Sequence, residues 1–254
     1  MINLQFIKEK TTKDLDNHIL HEWLKKHSGA FYPVVTFNPG KDKIIHIDSS
    51  ENNSEFAGID FEDTKSLCDY TDKLLLKTGA KFGIGGYNEI RPMYMRSKLF
   101  NKNINEPSVA DEPRRLHIGV DISGKAGTEI FAPCNGTVHS FAFNDHFGDY
   151  GPTIILLHQF DDISFHTLYG HLSLADIKNI REGDVIKRGE LFAHFGSTNE
   201  NGHWPPHLHF QIIHDMENFK GDYPGVCKIS EREKYLANCP DPDLILNMMR
   251  KASF

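Results

Sequence analysis

A mainly β fold with a smaller α/β portion at its N-terminus is predicted by three observations. From about His117 to His214, short runs rich in Val, Ile, Phe and Thr alternate with Gly, Pro, Asn and Asp. Turn signals recur there roughly every 8 to 12 residues, the pattern of an antiparallel β-sandwich or barrel. Before that stretch, helical periodicity mixes with short β-like runs, and after it comes a helical tail.

In chain order, residues 13 to 27 form an amphipathic helix, with Leu15, Ile19, Leu20 and Leu24 at helical spacing and Ser28-Gly29 as the stop. Two β-like runs follow, Tyr32 to Phe37 and Lys43 to Asp48, separated by the turn residues Asn38-Pro39-Gly40. Asp60 or Asp63 caps a second helix that runs to about Lys77 and ends before Gly79. The glycine-rich Gly83 to Tyr87 reads as a turn or linker, because a phosphate loop needs a preceding strand, a following helix and a spaced lysine or acidic partner. Residues 101 to 114 read as a connecting loop. Strand runs follow at Glu129 to Ala132, Gly136 to Phe143, Thr153 to His158 and His207 to Ile213, and a helix at Ile229 to Ala237. This divides the chain into an α/β N-terminal accessory portion (1–100), a β core (101–225) and a helical C-terminal extension (226–254).

Composition narrows the function. With 39% hydrophobic and 25% charged residues, the 254-residue chain is globular. A formal net charge of −7 and the lack of a Lys/Arg run argue against nucleic acid and against a polybasic membrane patch. No segment approaches the ~18 apolar residues of a membrane span, and the N-terminus lacks signal-peptide features. The chain as written therefore predicts a cytoplasmic location, with periplasmic or extracellular action requiring another export route. Cys68, Cys134, Cys227 and Cys239 form no CxxC pair and read as reduced thiols. Nothing in the sequence fixes an oligomeric state.

Histidine is the residue in excess, with 15 copies, several of them between His117 and His214. Three pieces of sequence converge on chemistry: His117-Ile-Gly-Val-Asp121, Tyr169-Gly-His171-Leu-Ser173 and Pro205-Pro-His207-Leu-His209-Phe210. His207 and His209, two apart on a strand, point to one face. His117 and Asp121 would stand about 13 Å apart on a straight strand, so a bend is required, and Gly119 is suited to it. Two imidazole nitrogens and one carboxylate oxygen make a normal catalytic zinc set, leaving one position open for water. Spacing alone does not say which of the histidines are ligands.

Taken together, HxxxD, YxHLS and HLHF resemble the M23 metallopeptidases of the lysostaphin and LytM type. Gly127 to Pro133 with Gly136 to Val138 is similar to that family's first sheet elements, and Glu182 to Glu190 to its GDxVxxGxxL hairpin. The resemblance covers about residues 113 to 214. It implies an M23 core of split-barrel, barrel-sandwich-hybrid type, with Zn2+ held by His117, Asp121 and His209. It also implies that His171 and His207 activate water or stabilise the oxyanion, and that the substrate is a peptide or peptidoglycan fragment cleaved by a zinc endopeptidase. Gln211 departs from the family's acidic residue at that position; by parity it shares the face of His207 and His209, where it lines the groove or caps it as a buried amide. Asn144 to Pro152 reads as a surface loop or groove wall. His139, His158, His166, His194, His203 and His214 match no family position, with His203 the one nearest the HLH motif. Two alternatives to a cell-wall peptidase are a zinc hydrolase of a cytosolic small peptide or amide conjugate, and a regulatory module with a degenerate site. Gly83 to Arg96 either packs behind the core or lies along the groove, with Asn88 or Glu89 offering an oxygen to the metal.

Overall fold

A computed structural model describes residues 12–101 and 112–253. The N-terminal part contains α1 (Thr12–His27), β1 (Ile44–His46), α2 (Ser54–Ala57), α3 (Thr64–Thr78), β2 (Phe82–Gly85) and β3 (Glu89–Ile90). The central part contains β4 (Leu116–His117), β5 (Val120–Ser123), β6 (Glu129–Phe131), β7 (Gly136–Asn144), β8 (Gly151–Phe160), β9 (Ile163–Gly170), β10 (Val185–Ile186), β11 (Leu191–His194) and β12 (His207–Ile213). The chain closes with β13 (Val226–Cys227), α4 (Arg232–Asn238), α5 (Asp243–Leu246) and β14 (Ala252–Ser253). The predicted mainly β architecture holds.

One nine-stranded sheet, in the order β10-β7-β8-β9-β12-β5-β2-β1-β14, carries most of the structure. Its pairings are antiparallel except where β1 meets β2 and β14. A three-stranded sheet, β13-β4-β3, and a two-stranded one, β11-β6, complete it. The alternation of β12 sets the division of labour. Leu208, Phe210 and Ile212 point into the main core with Val120, Ile122, Ile154 and Tyr169, while His207, His209 and Gln211 face the other way. Each of the three apolar side chains contributes about 1.5–3 kcal/mol by leaving water. α1 covers the core face, with Leu20 and Leu24 buried and Trp23 packed on Phe160 and Phe165.

Local signals placed the helices well. α3 starts at Asp63, whose carboxylate accepts from the Lys65 and Ser66 backbone amides, and ends at Gly79, whose φ of 65° is left-handed. Two readings need correction. Tyr32 to Phe37 forms no strand; it is a connector whose Tyr32 and Val34 backbones bond to Pro133 and Phe131. Gly83 to Gly85 is a strand and not a linker, buried between β1 and β5. The glycines are demanded by the neighbour: a Cβ at Gly83 would lie 2.1 Å from Ile47 Cδ1, and one at Gly85 would lie 2.2 Å from the Ile47 carbonyl oxygen. Most of the expected 101 to 114 loop lies outside the described residues. No helix among the described residues is long and apolar enough to cross a membrane.

Two histidines outside the HxxxD, YxHLS and HLHF pieces make the fold acid-sensitive. Burial lowers His158 to about 4 and, together with the neighbouring His139, lowers His166 to about 4. Above the ordinary value of 6.5 both are neutral, folded or unfolded, and contribute no pH dependence. As pH falls from 6.5 towards 4, the unfolded chain takes up protons that the fold refuses, so stability is lost on acidification. A few kcal/mol in total is the expected scale. Denaturant midpoints of metal-free protein should therefore fall between pH 7.5 and pH 5; equal midpoints would show that these histidines are not held neutral.

Candidate metal centre

The site forms where β12, β5 and β4 meet. His209 lies opposite Asp121 in the β12–β5 register. His117 and Asp121 belong to strands of different sheets, joined through Ile118-Gly119. This is the bend that the four-residue spacing requires. Gly119 serves it through space: a Cβ there would sit 2.4 Å from His209 Cε1, inside the imidazole.

His117 Nε2, His209 Nδ1 and Asp121 Oδ1 point at one another. The separations are 2.9 Å between the two nitrogens, 3.4 Å from His117 to the carboxylate and 3.2 Å from His209 to it. Bonds of about 2.0–2.2 Å at tetrahedral angles put ligand atoms roughly 3.3–3.6 Å apart. A divalent ion therefore fits this trio with little movement. Among the described residues it is the one group of three or more His, Cys, Asp or Glu side chains arranged to hold a metal.

The far sides of the rings fix the tautomers. His117 Nδ1 donates to the Gly86 carbonyl at 2.7 Å, which leaves the Nε2 lone pair facing the trio. His209 Nε2 donates to Gln211 Oε1 at 2.9 Å, leaving Nδ1 free. Gln211 is fully buried, and its amide nitrogen donates to the Pro224 carbonyl and to Cys239 Sγ. The glutamine is therefore a buried cap that orients His209. Burial, helped by the Arg91 charge, lowers His117 to about 4. Burial alone would raise Asp121, but His117 and the Arg91 guanidinium outweigh it and hold this carboxyl well below its usual range.

His171 and His207 stand beside the trio, their rings 4.1 Å apart. His171 Nδ1 donates to the Asn201 carbonyl and His207 Nδ1 to the Pro205 carbonyl, so each keeps a free Nε2. His207 Nε2 lies 3.9 Å from Asp121 Oδ1. Burial lowers both, with the mutual proximity of the rings adding to the effect on His171, so both are neutral near pH 7. His171 holds a left-handed backbone, φ 63°, the kind of strain found at functional positions. All five residues singled out from the sequence thus come together. His203 does not join them: it is exposed and packs its ring on Phe147.

Spacing alone missed two contributors. Tyr150, from the turn before β8, lies with its hydroxyl 3.3 Å from His209 Nε2 and its ring against His171. It belongs to Asn144 to Pro152, read above as a loop or groove wall, and it does line the cavity. The second contributor is Arg91, which donates to Asp121 Oδ2 at 2.5 Å. Asn88 and Glu89, proposed above to offer an oxygen to the metal, do not reach it. The Asn88 oxygen accepts from Arg232, and the Glu89 carboxylate is taken by Arg91 and the Ser49 amide. Their segment divides: Ile84 packs in the main core, while Met93 and Tyr94, with Leu99 and Phe100 just beyond, wall a cavity of about 210 Å³ over the histidines.

Residues 115–220 match the family model described as peptidase family M23. The chain is similar to a protein named uncharacterized metalloprotease from Haemophilus influenzae, 35% identical over 116 residues, which is 46% of this chain and 22% of that protein. It is also similar to the DD-carboxypeptidase/endopeptidase Mpg of Neisseria meningitidis serogroup B, 33% identical over 97 residues, 38% of this chain and 20% of that protein. The match spans about a fifth of the length of these relatives. Among solved structures, it is similar to the catalytic domain of the antimicrobial peptidase lysostaphin from Staphylococcus simulans. That match has 25% identity and a TM-score of 0.33, over 47% of this chain and 80% of that one. All five histidine and aspartate residues of the site fall within the matched family segment, whereas Gly86 and Arg91 lie outside it.

Proposed function

We propose that this chain, whose residues 115–220 match peptidase family M23, is a zinc metallopeptidase that hydrolyses short peptide bonds of the peptidoglycan type. The observation that carries it is the inward-facing His117–Asp121–His209 trio beside two neutral histidines with free Nε2 atoms. Zinc is the metal that two imidazoles and a carboxylate with an open position favour. When bound, it supplies Lewis-acid activation of water and of the scissile carbonyl.

The chain's own residues do the remainder. His171 and His207, neutral through burial, accept the proton of the attacking water at Nε2 and return it to the departing amine. The Pro205 and Asn201 carbonyls hold those rings in the required tautomer. Tyr94, Phe100 and Trp204 exclude bulk water from one side of the cavity. At about 210 Å³ the cavity is below the ~300–1,000 Å³ usual for drug-sized ligands, which favours a short peptide or a chain end as substrate. A small peptide or amide conjugate is for that reason the second reading.

Metal analysis of purified protein, with assays on cell-wall fragments, glycyl peptides and soluble dipeptides, tests both readings. Bound zinc with cleavage of wall fragments supports the first, and cleavage of soluble dipeptides alone selects the second. A metal-free protein inert with added zinc would end both.

A further inference from the structure

We infer that Arg91 is a positioning residue for the metal centre, holding Asp121 as a one-oxygen ligand. This rests on the reading above that His117, Asp121 and His209 bind the ion. Asp121 has two oxygens with different neighbours. Oδ1 faces His117 and His209, while Oδ2 accepts from Arg91 Nη1. An oxygen committed to a guanidinium is withdrawn from the metal, so the carboxylate offers its ion one atom in one direction.

Arg91 is itself fixed. It is 2% exposed, its Nε donates to Glu89 Oε2 at 2.6 Å, and Nη1 lies 3.4 Å from the Tyr94 hydroxyl. The other Glu89 oxygen accepts from the Ser49 amide. The sheet register delivers this group to its place: Gly85 pairs with Asp121 across β2–β5, and Glu89 pairs with His117 across β3–β4. Between those pairs runs Gly86, whose carbonyl orients His117. Gly86 also makes room for the ion pair. Its φ is 86°, and a Cβ there would lie 1.8 Å from Arg91 Nη2 and 2.5 Å from Glu89 Oε2. One short segment outside the family match therefore acts on two of the three ligands, and residues 82–94 are part of the metal centre.

Lysine cannot substitute. A single ammonium has no planar fork with which to engage Glu89 and Asp121 in their observed directions. The ion pair also sets the local charge. Glu89, Arg91 and Asp121 together carry one negative charge, so a divalent cation bound with neutral histidines leaves the group at a net +1.

The test is a titration of metal-free full-length protein with Zn2+ against a competing chelator at pH 7, together with the d–d absorption of the Co2+-loaded protein. Wild type is measured first; if it binds no metal, the functional reading fails and Arg91 is not in question. Given binding, Arg91→Met and Arg91→Lys should each weaken Zn2+ by roughly 10–100-fold. In both, the Co2+ bands should lose intensity per bound ion, as Asp121 swings to chelate through both oxygens and raises the coordination number. General destabilisation would lower occupancy and leave the per-ion spectrum as it was. Glu89→Gln, which keeps the buried arginine paired with Asp121, should move affinity and spectrum in the same direction by less, and it stands in if the Arg91 variants do not fold. Zn2+ affinity within about twofold of wild type, or tighter, with an unchanged Co2+ spectrum in a folded variant overturns the inference.

Discussion

Asp121→Ala should leave the protein with almost no metal after gel filtration, where wild type retains about one ion per chain. Asp121 Oδ1 lies 3.2 Å from His209 Nδ1, 3.4 Å from His117 Nε2 and 3.9 Å from His207 Nε2, so it is the hinge of the cluster. Without it, two neutral imidazoles remain, with no charge to offset the cation. The same substitution strips Arg91, itself 2% exposed, of one of its two carboxylate partners. Breaking a buried pair from one side costs about 3–5 kcal/mol, and the surviving Glu89 contact puts the expected loss at the lower end. Asp121→Asn separates the two effects. It keeps an oxygen for Arg91 and so should lose metal with a smaller fall in stability. Full metal retention by Asp121→Ala, measured by elemental analysis, would remove Asp121 from the ligand set.

The parts of this centre that could be read in the sequence are those governed by local geometry. Strand parity put His207, His209 and Gln211 on one face, and β12 shows that face in the structure. The four-residue gap from His117 to Asp121 demanded a bend, and Gly119 supplies it because His209 fills the space where a side chain would go. Asp63 and Gly79 marked the ends of α3 through capping chemistry. What could not be read depends on contacts between distant segments. Gly83 and Gly85 look like a linker because glycine carries no strand signal; only the position of Ile47 shows why nothing larger fits. Arg91 lies 30 residues from Asp121, and no spacing rule pairs them. Its segment does reach the site, but through the donor Arg91 and not through the oxygens of Asn88 or Glu89. The Gly85–Asp121 register decides this. Likewise the Gln211 amide could have faced the groove or the interior, and the Pro224 carbonyl with Cys239 selects the interior.

His171→Ala and His207→Ala should retain metal yet lose roughly 100-fold or more in kcat/KM, the usual scale for missing acid–base help. Each ring spends Nδ1 on a backbone carbonyl and keeps Nε2 free at the cavity, 3.9 Å from Asp121 Oδ1 in the case of His207. A base must be neutral to accept a proton, and burial lowers both histidines below the ordinary 6.5. The sign follows: above 6.5 both stay neutral, and activity is lost only as acidification proceeds below it. The acid limb of kcat/KM in wild type should therefore lie below pH 6.5, provided the zinc content is checked at each pH. At position 171 the left-handed backbone, φ 63°, already costs the wild-type histidine about 1–2 kcal/mol, and alanine, which also has a Cβ, does not relieve it. Asparagine tolerates that conformation better, so His171→Asn separates lost chemistry from lost fold. Equal metal content with activity near wild type in either alanine variant would exclude that histidine from proton transfer. Loss of zinc on substituting His207 would instead place it among the ligands.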